Sequence, residues 1–159
     1  MEERIAVAPD LVLADMEADG FEDAIGQLGG LLVERGYARE GYVGAVLERE
    51  RSYPTGLEFP ACGVALPHGD ARWARRAALA IGRCRRPVRF ARMDDFSDTV
   101  KVSLVLLLTV DDPDAHLEVV GRLISSLSEG ALCERALAAE GAEAIARIFD
   151  EAINEGGER

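Results

Sequence analysis

Val102-Ser103-Leu104-Val105-Leu106-Leu107-Leu108-Thr109-Val110, followed at once by Asp111-Asp112-Pro113, decides how this chain folds. The run is β-branched and leucine-rich and is apolar at both parities, so it reads as a strand covered on both faces and therefore central in its sheet. Asp112 can cap a helix and Pro113 suits its first position, so the strand passes directly into a helix. Leu117, Val120, Ile124 and Leu127 recur at helical spacing and predict its buried stripe. A central strand followed by a covering helix points to an α/β architecture.

Working outward, Gly63-Val64-Ala65-Leu66-Pro67-His68-Gly69-Asp70 reads as a second buried strand that stops at a proline unable to donate to a ladder. One of the chain's two histidines, His68, stands just past that end, and the other, His116, falls in the first turn of the helix after the central strand. If the two strands run parallel, both imidazoles emerge at one edge of the sheet, where open α/β sheets gather their reactive groups.

The remaining elements are lighter. Residues 5–13 give an edge strand and a turn around Pro9 and Asp10. Phe21, Ala24, Ile25, Leu28, Leu31 and Leu32 recur at helical spacing, with Gly36 placed to end the helix. A second helix is expected from Glu40 to Glu50, burying Val43, Val46 and Leu47 and leaving Glu48, Arg49 and Glu50 at its end. Arg51 to Pro60 is a proline-containing loop. Ala77–Gly82 is expected as a strand and Pro87–Phe90 as a short edge strand. Helices follow over Ala131–Ala138 and Ala142–Ile153, and residues 154–159 read as a fraying tail.

The 159 residues make one domain, 1–159, with a core over about 12–153. The 29 acidic residues outnumber the 18 basic ones for a formal charge of −11, a balance that disfavours nucleic acid and anionic membrane. Eight arginines between Ala71 and Met93 run against that trend. They lack the interleaved aromatics of a nucleic-acid surface apart from Trp73 and Phe90, and read as partners for acidic helices or one side of a docking surface. Cys62, Cys84 and Cys133 are odd in number and form no C-x-x-C pair, as in a reduced, cytoplasmic protein. Met1-Glu2-Glu3-Arg4 does not open a secretory signal, and the longest apolar run is half the length of a membrane span. No direct membrane insertion is expected.

A neutral imidazole is a nucleophile near pH 7, which suits histidine to carrying a phosphoryl group transiently. The product gains about two negative charges, which a guanidinium, a second imidazole or a helix N-terminus can offset. Arg49, ahead of the loop leading to His68, is the candidate guanidinium.

Arg49-Glu50-Arg51-Ser52-Tyr53-Pro54-Thr55-Gly56-Leu57 followed by Gly63-Val64-Ala65-Leu66-Pro67-His68-Gly69 resembles the fructose/mannitol-type enzyme IIA (EIIA) components of the bacterial sugar phosphotransferase system, with Tyr-Pro-Thr-Gly-Leu most like the galactitol branch. Pro87-Val88-Arg89-Phe90, the strand Val102–Val110 and Asp114-Ala115-His116-Leu117-Glu118 are similar to the family in order and approximate spacing. The resemblance implies a single α/β domain with a mixed sheet flanked by helices. It implies that His68 accepts a phosphoryl group from the phosphocarrier HPr and passes it to an enzyme IIB (EIIB), whose acceptor in the galactitol branch is a cysteine, for a membrane EIIC. It makes His116 the second active-site histidine and Arg49 the arginine steadying the group, with Thr55 in the phosphate neighbourhood and Arg51 as the alternative to Arg49 if the register differs. No metal or organic cofactor is implied.

Three other readings stay open. The same histidine can serve as a regulatory switch that binds or releases a protein. A metal-dependent hydrolase would need His68, His116 and an acid such as Asp70 to converge, and a thiol nucleophile would need Cys62 to be accessible.

Overall fold

The computed structural model describes residues 4–155; residues 1–3 and 156–159, including most of the expected tail, lie outside them. Five strands form one mixed sheet: β1 (Val12–Met16), β2 (Gly56–Glu58), β3 (Gly63–Ala65), β4 (Ala78–Ala91) and β5 (Thr99–Thr109), in the order β1-β4-β5-β3-β2. β1 is parallel to β4 and β3 parallel to β5, while β4/β5 and β2/β3 are antiparallel. The helices are α1 (Phe21–Glu34), α2 (Tyr42–Ser52), α3 (Pro113–Ser128), α4 (Ala131–Ala138) and α5 (Ala142–Asp150), the last continued by a π-helical turn over Glu151–Glu155.

The central position of β5 follows from its composition. Val102, Leu104, Val105, Leu106 and Leu107 are all fully buried, each such side chain worth about 1.5–3 kcal/mol over an exposed one. Leu104, Leu106 and Leu108 pack toward α3, α4 and α5, whereas Val105 and Leu107 pack toward α1 and α2. Against β3 the register steps from Gly63↔Val102 to Val64↔Leu104, which leaves Ser103 as the extra residue of a bulge. A one-residue bulge reverses the side-chain phase, so Val100 and Val102 also face α1 and α2. The crossing is tight there: a Cβ on Gly63 would lie 2.1 Å from the Lys101 carbonyl oxygen.

Several sequence expectations change. Ala77–Gly82 and Pro87–Phe90 are not separate strands: both fall in the single β4, whose first half lies between β1 and β5 and whose Val88–Ala91 half pairs with β5 and not with β1. Pro87 is tolerated because it falls in the irregular stretch between Arg83 and Val88, where no ladder donor is required. On α3 the buried residues are Val119, Leu123 and Leu127, and Leu117 is 71% exposed. Val120 and Ile124 of the expected stripe pack partly buried against the same core as Leu127, so Leu117 is the member that departs from it. On α2 the fully covered positions are Tyr42, Val46 and Glu50, with Val43 and Leu47 only partly covered. Asn154 is anchored: its amide pairs with both the N–H and the carbonyl of Ile5, at 3.0 and 2.8 Å. Gly36 does end α1, with φ at +83°.

The arginines between Ala71 and Met93 scatter over the fold. Arg83 reaches the carbonyls of Ala136 and Ala139 at 3.1 and 2.6 Å, closing the C-terminal end of α4. Arg85 and Arg86 lie by Glu17, Arg92 pairs with Glu58 and Asp94, and Arg76 stacks over Tyr37. Among the described residues no helix is long and apolar enough to cross a membrane.

Candidate functional site

β3 and β5 run parallel, so their carboxyl ends share one edge of the sheet. His68 continues that edge through a bridge to Leu108, and α3 begins beside it. Asp112 caps α3 by accepting the Ala115 N–H at 3.3 Å, and His116 follows in the first turn. The two imidazoles meet there with ring centroids 4.5 Å apart and planes inclined by 54°. They line an open pocket of about 390 Å³ with Arg49, Asp70, Pro113 and Leu117.

The hydrogen bonds of His68 identify its tautomer. Nδ1 lies 3.0 Å from the Leu66 carbonyl, which can only accept, so Nδ1 carries the proton. The Arg49 Nε–H donates to Nε2 at 3.1 Å, so Nε2 carries the lone pair. Nε2 and its Arg49 donor both belong to residues that line the pocket. Burial, with the nearby Arg49 charge, pushes the His68 pKa below 6.5, outweighing the Leu66 carbonyl and Asp70, which favour the proton.

His116 is held differently. Its Nε2 is buried without a hydrogen-bond partner. Burial first, then the neighbouring His68 and Arg49, lowers its pKa from 6.5 to about 4, so it is neutral at physiological pH.

α2 supplies the cation. Tyr42, Val46, Arg49, Glu50 and Tyr53 share the helix side turned to the site. Arg49 reaches Asp70 at 3.5 Å and lies 5.7 Å from the Tyr53 ring centre. Arg51 points elsewhere, to an ion pair with Glu22 of α1. Thr55 is buried one layer behind the ring. Its Oγ1 donates to Glu50 Oε1 at 2.9 Å and accepts the Leu66 N–H at 3.1 Å, while its own N–H donates to Glu50 Oε2 at 2.8 Å. Glu50, 5% exposed, has its pKa raised to about 7 by burial, against the opposing pull of the two Thr55 donors. Sequence reading left Glu50 at the helix end without a role; the signal it missed was the five-residue reach from Glu50 to Thr55 across a proline loop.

Other chemistries find less here. Among the described residues no three histidine, cysteine or acidic side chains are placed to share a metal ion. The Cys62 thiol is pushed up by the Cys133 thiol and by burial, which leaves no thiolate to attack.

Residues 6–152 match the family model described as phosphoenolpyruvate-dependent sugar phosphotransferase system, EIIA 2. The galactitol-specific EIIA component of Escherichia coli K12 is 29% identical over 112 residues, covering 70% of this chain and 74% of that protein. The nitrogen regulatory protein IIA-Ntr of Neisseria meningitidis superposes with a TM-score of 0.73 at 28% identity, covering 89% of this chain and 94% of that one. The mannitol enzyme IIA of Escherichia coli, solved in complex with phosphorylated enzyme IIB, shares the fold with a TM-score of 0.74 at 22% identity, covering 91% and 97%.

Proposed function

The chain belongs to the EIIA 2 family of the phosphoenolpyruvate-dependent sugar phosphotransferase system, and from that premise we propose that His68 Nε2 is its phosphoryl acceptor. EIIA components are phosphoryl carriers, so the activity is that of a transferase. The observation that carries the assignment is the hydrogen bond from His68 Nδ1 to the Leu66 carbonyl, which leaves the lone pair on Nε2 of a ring that lines the pocket.

In this reading HPr is the donor. The Nε2 lone pair attacks the phosphorus in line, the donor's N–P bond breaks, and the donor nitrogen leaves with the electron pair. The proton stays on Nδ1, hydrogen-bonded to the Leu66 carbonyl, whose dipole meets the positive charge developing on the ring. Arg49 turns from the lone pair to the phosphoryl oxygens and His116 donates a neutral N–H, offsetting charge on the moving group. A second in-line step hands the group to a cysteine thiolate of EIIB, coupled to uptake of a galactitol-like polyol through EIIC. The galactitol-specific relative supports that branch. Transfer of this kind needs no cofactor and takes place in the cytoplasm, where both partners reside.

The test is transfer of labelled phosphate from phospho-HPr to wild type and to His68→Ala. Wild type is expected to take up one equivalent and the variant none; label retained on the variant at Nε2-type stability would overturn the assignment. A regulatory role for the same histidine is the second reading, favoured by the likeness to the nitrogen regulatory protein. Onward transfer to a cysteine-bearing EIIB separates the two.

A further inference from the structure

Leu66 is the residue where the sheet runs out. β2 begins at Gly56, paired with Ala65, so the Leu66 N–H lies one step beyond the ladder. Pro67 follows and has no N–H of its own, so beyond Ala65 the backbone is held on the β5 side by the Leu108 N–H bonding the Pro67 carbonyl at 3.5 Å, while the β2 side has no ladder partner for Leu66. The Thr55 hydroxyl takes the place of the missing strand residue by accepting the Leu66 N–H at 3.1 Å. Glu50 in turn accepts both Thr55 donors, at 2.8 and 2.9 Å, and so fixes the direction in which the hydroxyl proton points. On the far side of the same residue, the Leu66 carbonyl receives the His68 Nδ1–H at 3.0 Å.

We infer that Glu50 and Thr55 are positioning residues for phosphoryl transfer: the chain Glu50–Thr55–Leu66–His68 fixes the tautomer and orientation of the His68 ring. The inference deepens the reading of His68 as phosphoryl acceptor and rests on it for its consequence, but the tautomer itself is measurable without any transfer. Neither Glu50 nor Thr55 touches the pocket. Both are buried, at 5% and 4% exposure, so their effect reaches the imidazole only through the Leu66 backbone. Each link has a fixed polarity. Ionised Glu50 can only accept, so Thr55 Oγ1 must donate to it and offers its lone pair to Leu66. The Leu66 residue then presents its carbonyl to the ring, and a carbonyl admits only the Nδ1–H form. Without the hydroxyl the Leu66 N–H is a buried donor with no acceptor, and the turn is free to tilt its carbonyl away. The imidazole then also populates the Nε2–H form, at the expense of the Arg49 Nε–H bond to Nε2, and in that form Nε2 has no lone pair to offer.

The test uses long-range ¹H–¹⁵N correlation of His68 in the unphosphorylated protein, above neutral pH, alongside the rate of phosphoryl uptake from phospho-HPr. Wild type and Thr55→Ser, which keeps the hydroxyl, are expected to show a single Nδ1–H tautomer. Thr55→Val, which keeps the shape and removes the bond, is expected to show both tautomers and to lose about 10- to 100-fold in uptake rate, the range seen when outer hydrogen-bond partners of working histidines are removed. Glu50→Gln, close in shape, is expected to move the tautomer ratio the same way by less, and serves if Thr55→Val does not fold. Ile145→Ala, on the buried face of α5, controls for destabilisation and is expected to leave the tautomer unchanged. A wild-type tautomer in folded Thr55→Val, or an equal shift in Ile145→Ala, would overturn the inference. If the tautomer shifts as stated but wild type takes up no phosphate, the carrier reading fails and the positioning chain stands.

Discussion

His68 and His116 lie ring to ring, yet the protein holds them in opposite ways. His68 is bonded at both nitrogens and backed by a buried polar chain, whereas the Nε2 of His116 has no partner at all. Both rings are kept neutral, and burial is the largest cause in each case. An imidazole bonded at both nitrogens thus lies against one whose buried Nε2 is left without a partner. Buried polar groups are normally satisfied, so this nitrogen stands out beside the pocket.

The contrast can be broken from either side. Arg49→Gln removes the charged donor. Hydrogen bonds to charged groups contribute about 1.5–3 kcal/mol, so phosphoryl uptake is expected to fall by roughly 10- to 150-fold, read by rapid-quench transfer assays. Loss of the second imidazole in His116→Phe should cost less, about fivefold, because a neutral hydrogen bond contributes about 1 kcal/mol. A drop for His116→Phe exceeding that for Arg49→Gln would reverse the assigned roles.

Acidity probes the same contrast through stability. His116 has a folded pKa of about 4 against 6.5 unfolded, so its contribution is present above pH 6.5 and is lost as pH falls through about 4. Glu50 has a folded pKa of about 7 against 4.5, so its contribution is full below pH 4.5 and is lost as pH rises through about 7. Urea denaturation from pH 4 to 8 should show the acid-side loss disappear in His116→Phe and the rise-side loss disappear in Glu50→Gln. A wild-type slope persisting in either variant would mean that another group titrates there. The smallest effect is expected from Asp70→Asn. Its carboxylate and Arg49 are 63% and 40% exposed at 3.5 Å, and pairs of this kind contribute about 0.2–1 kcal/mol. Uptake should change less than fivefold, and less still at high salt.

The outline of this fold was legible because long apolar strands and capped helices write their signals locally. Val102–Val110, the Asp112-Pro113 helix start and the Gly36 stop all appear where their residues placed them. So does the convergence of the two histidines, which needed only β3 and β5 to be parallel. Errors arose where the deciding partner is remote in sequence. Whether Leu117 or Val119 turns inward depends on what α3 packs against, and the two stripes differ by less than one helix position. Pro87 looked like a strand boundary until the bulge opposite Ser103 gave it room. The arginines read as partners for acidic helices or as a docking surface; Arg85, Arg86 and Arg92 do lie by acids of the same domain, but those acids are outside the helices, and Arg83 closes a helix through backbone carbonyls instead. The family resemblance supplied the register that singled out Arg49, whereas the Glu50–Thr55 chain required coordinates, since nothing in its spacing distinguishes it from a solvated helix end.

The bond from Arg49 to His68 has one more consequence. In the resting protein the Arg49 Nε–H occupies the lone pair to which the proposed transfer assigns the attack, so the idle imidazole is expected to be shielded from stray electrophiles such as acylating reagents or activated esters. Removal of the shield is expected only when a partner brings a phosphoryl group whose oxygens compete for the arginine. A carrier built this way is chemically quiet between transfers, and its reactivity is switched on by the charge of its own cargo.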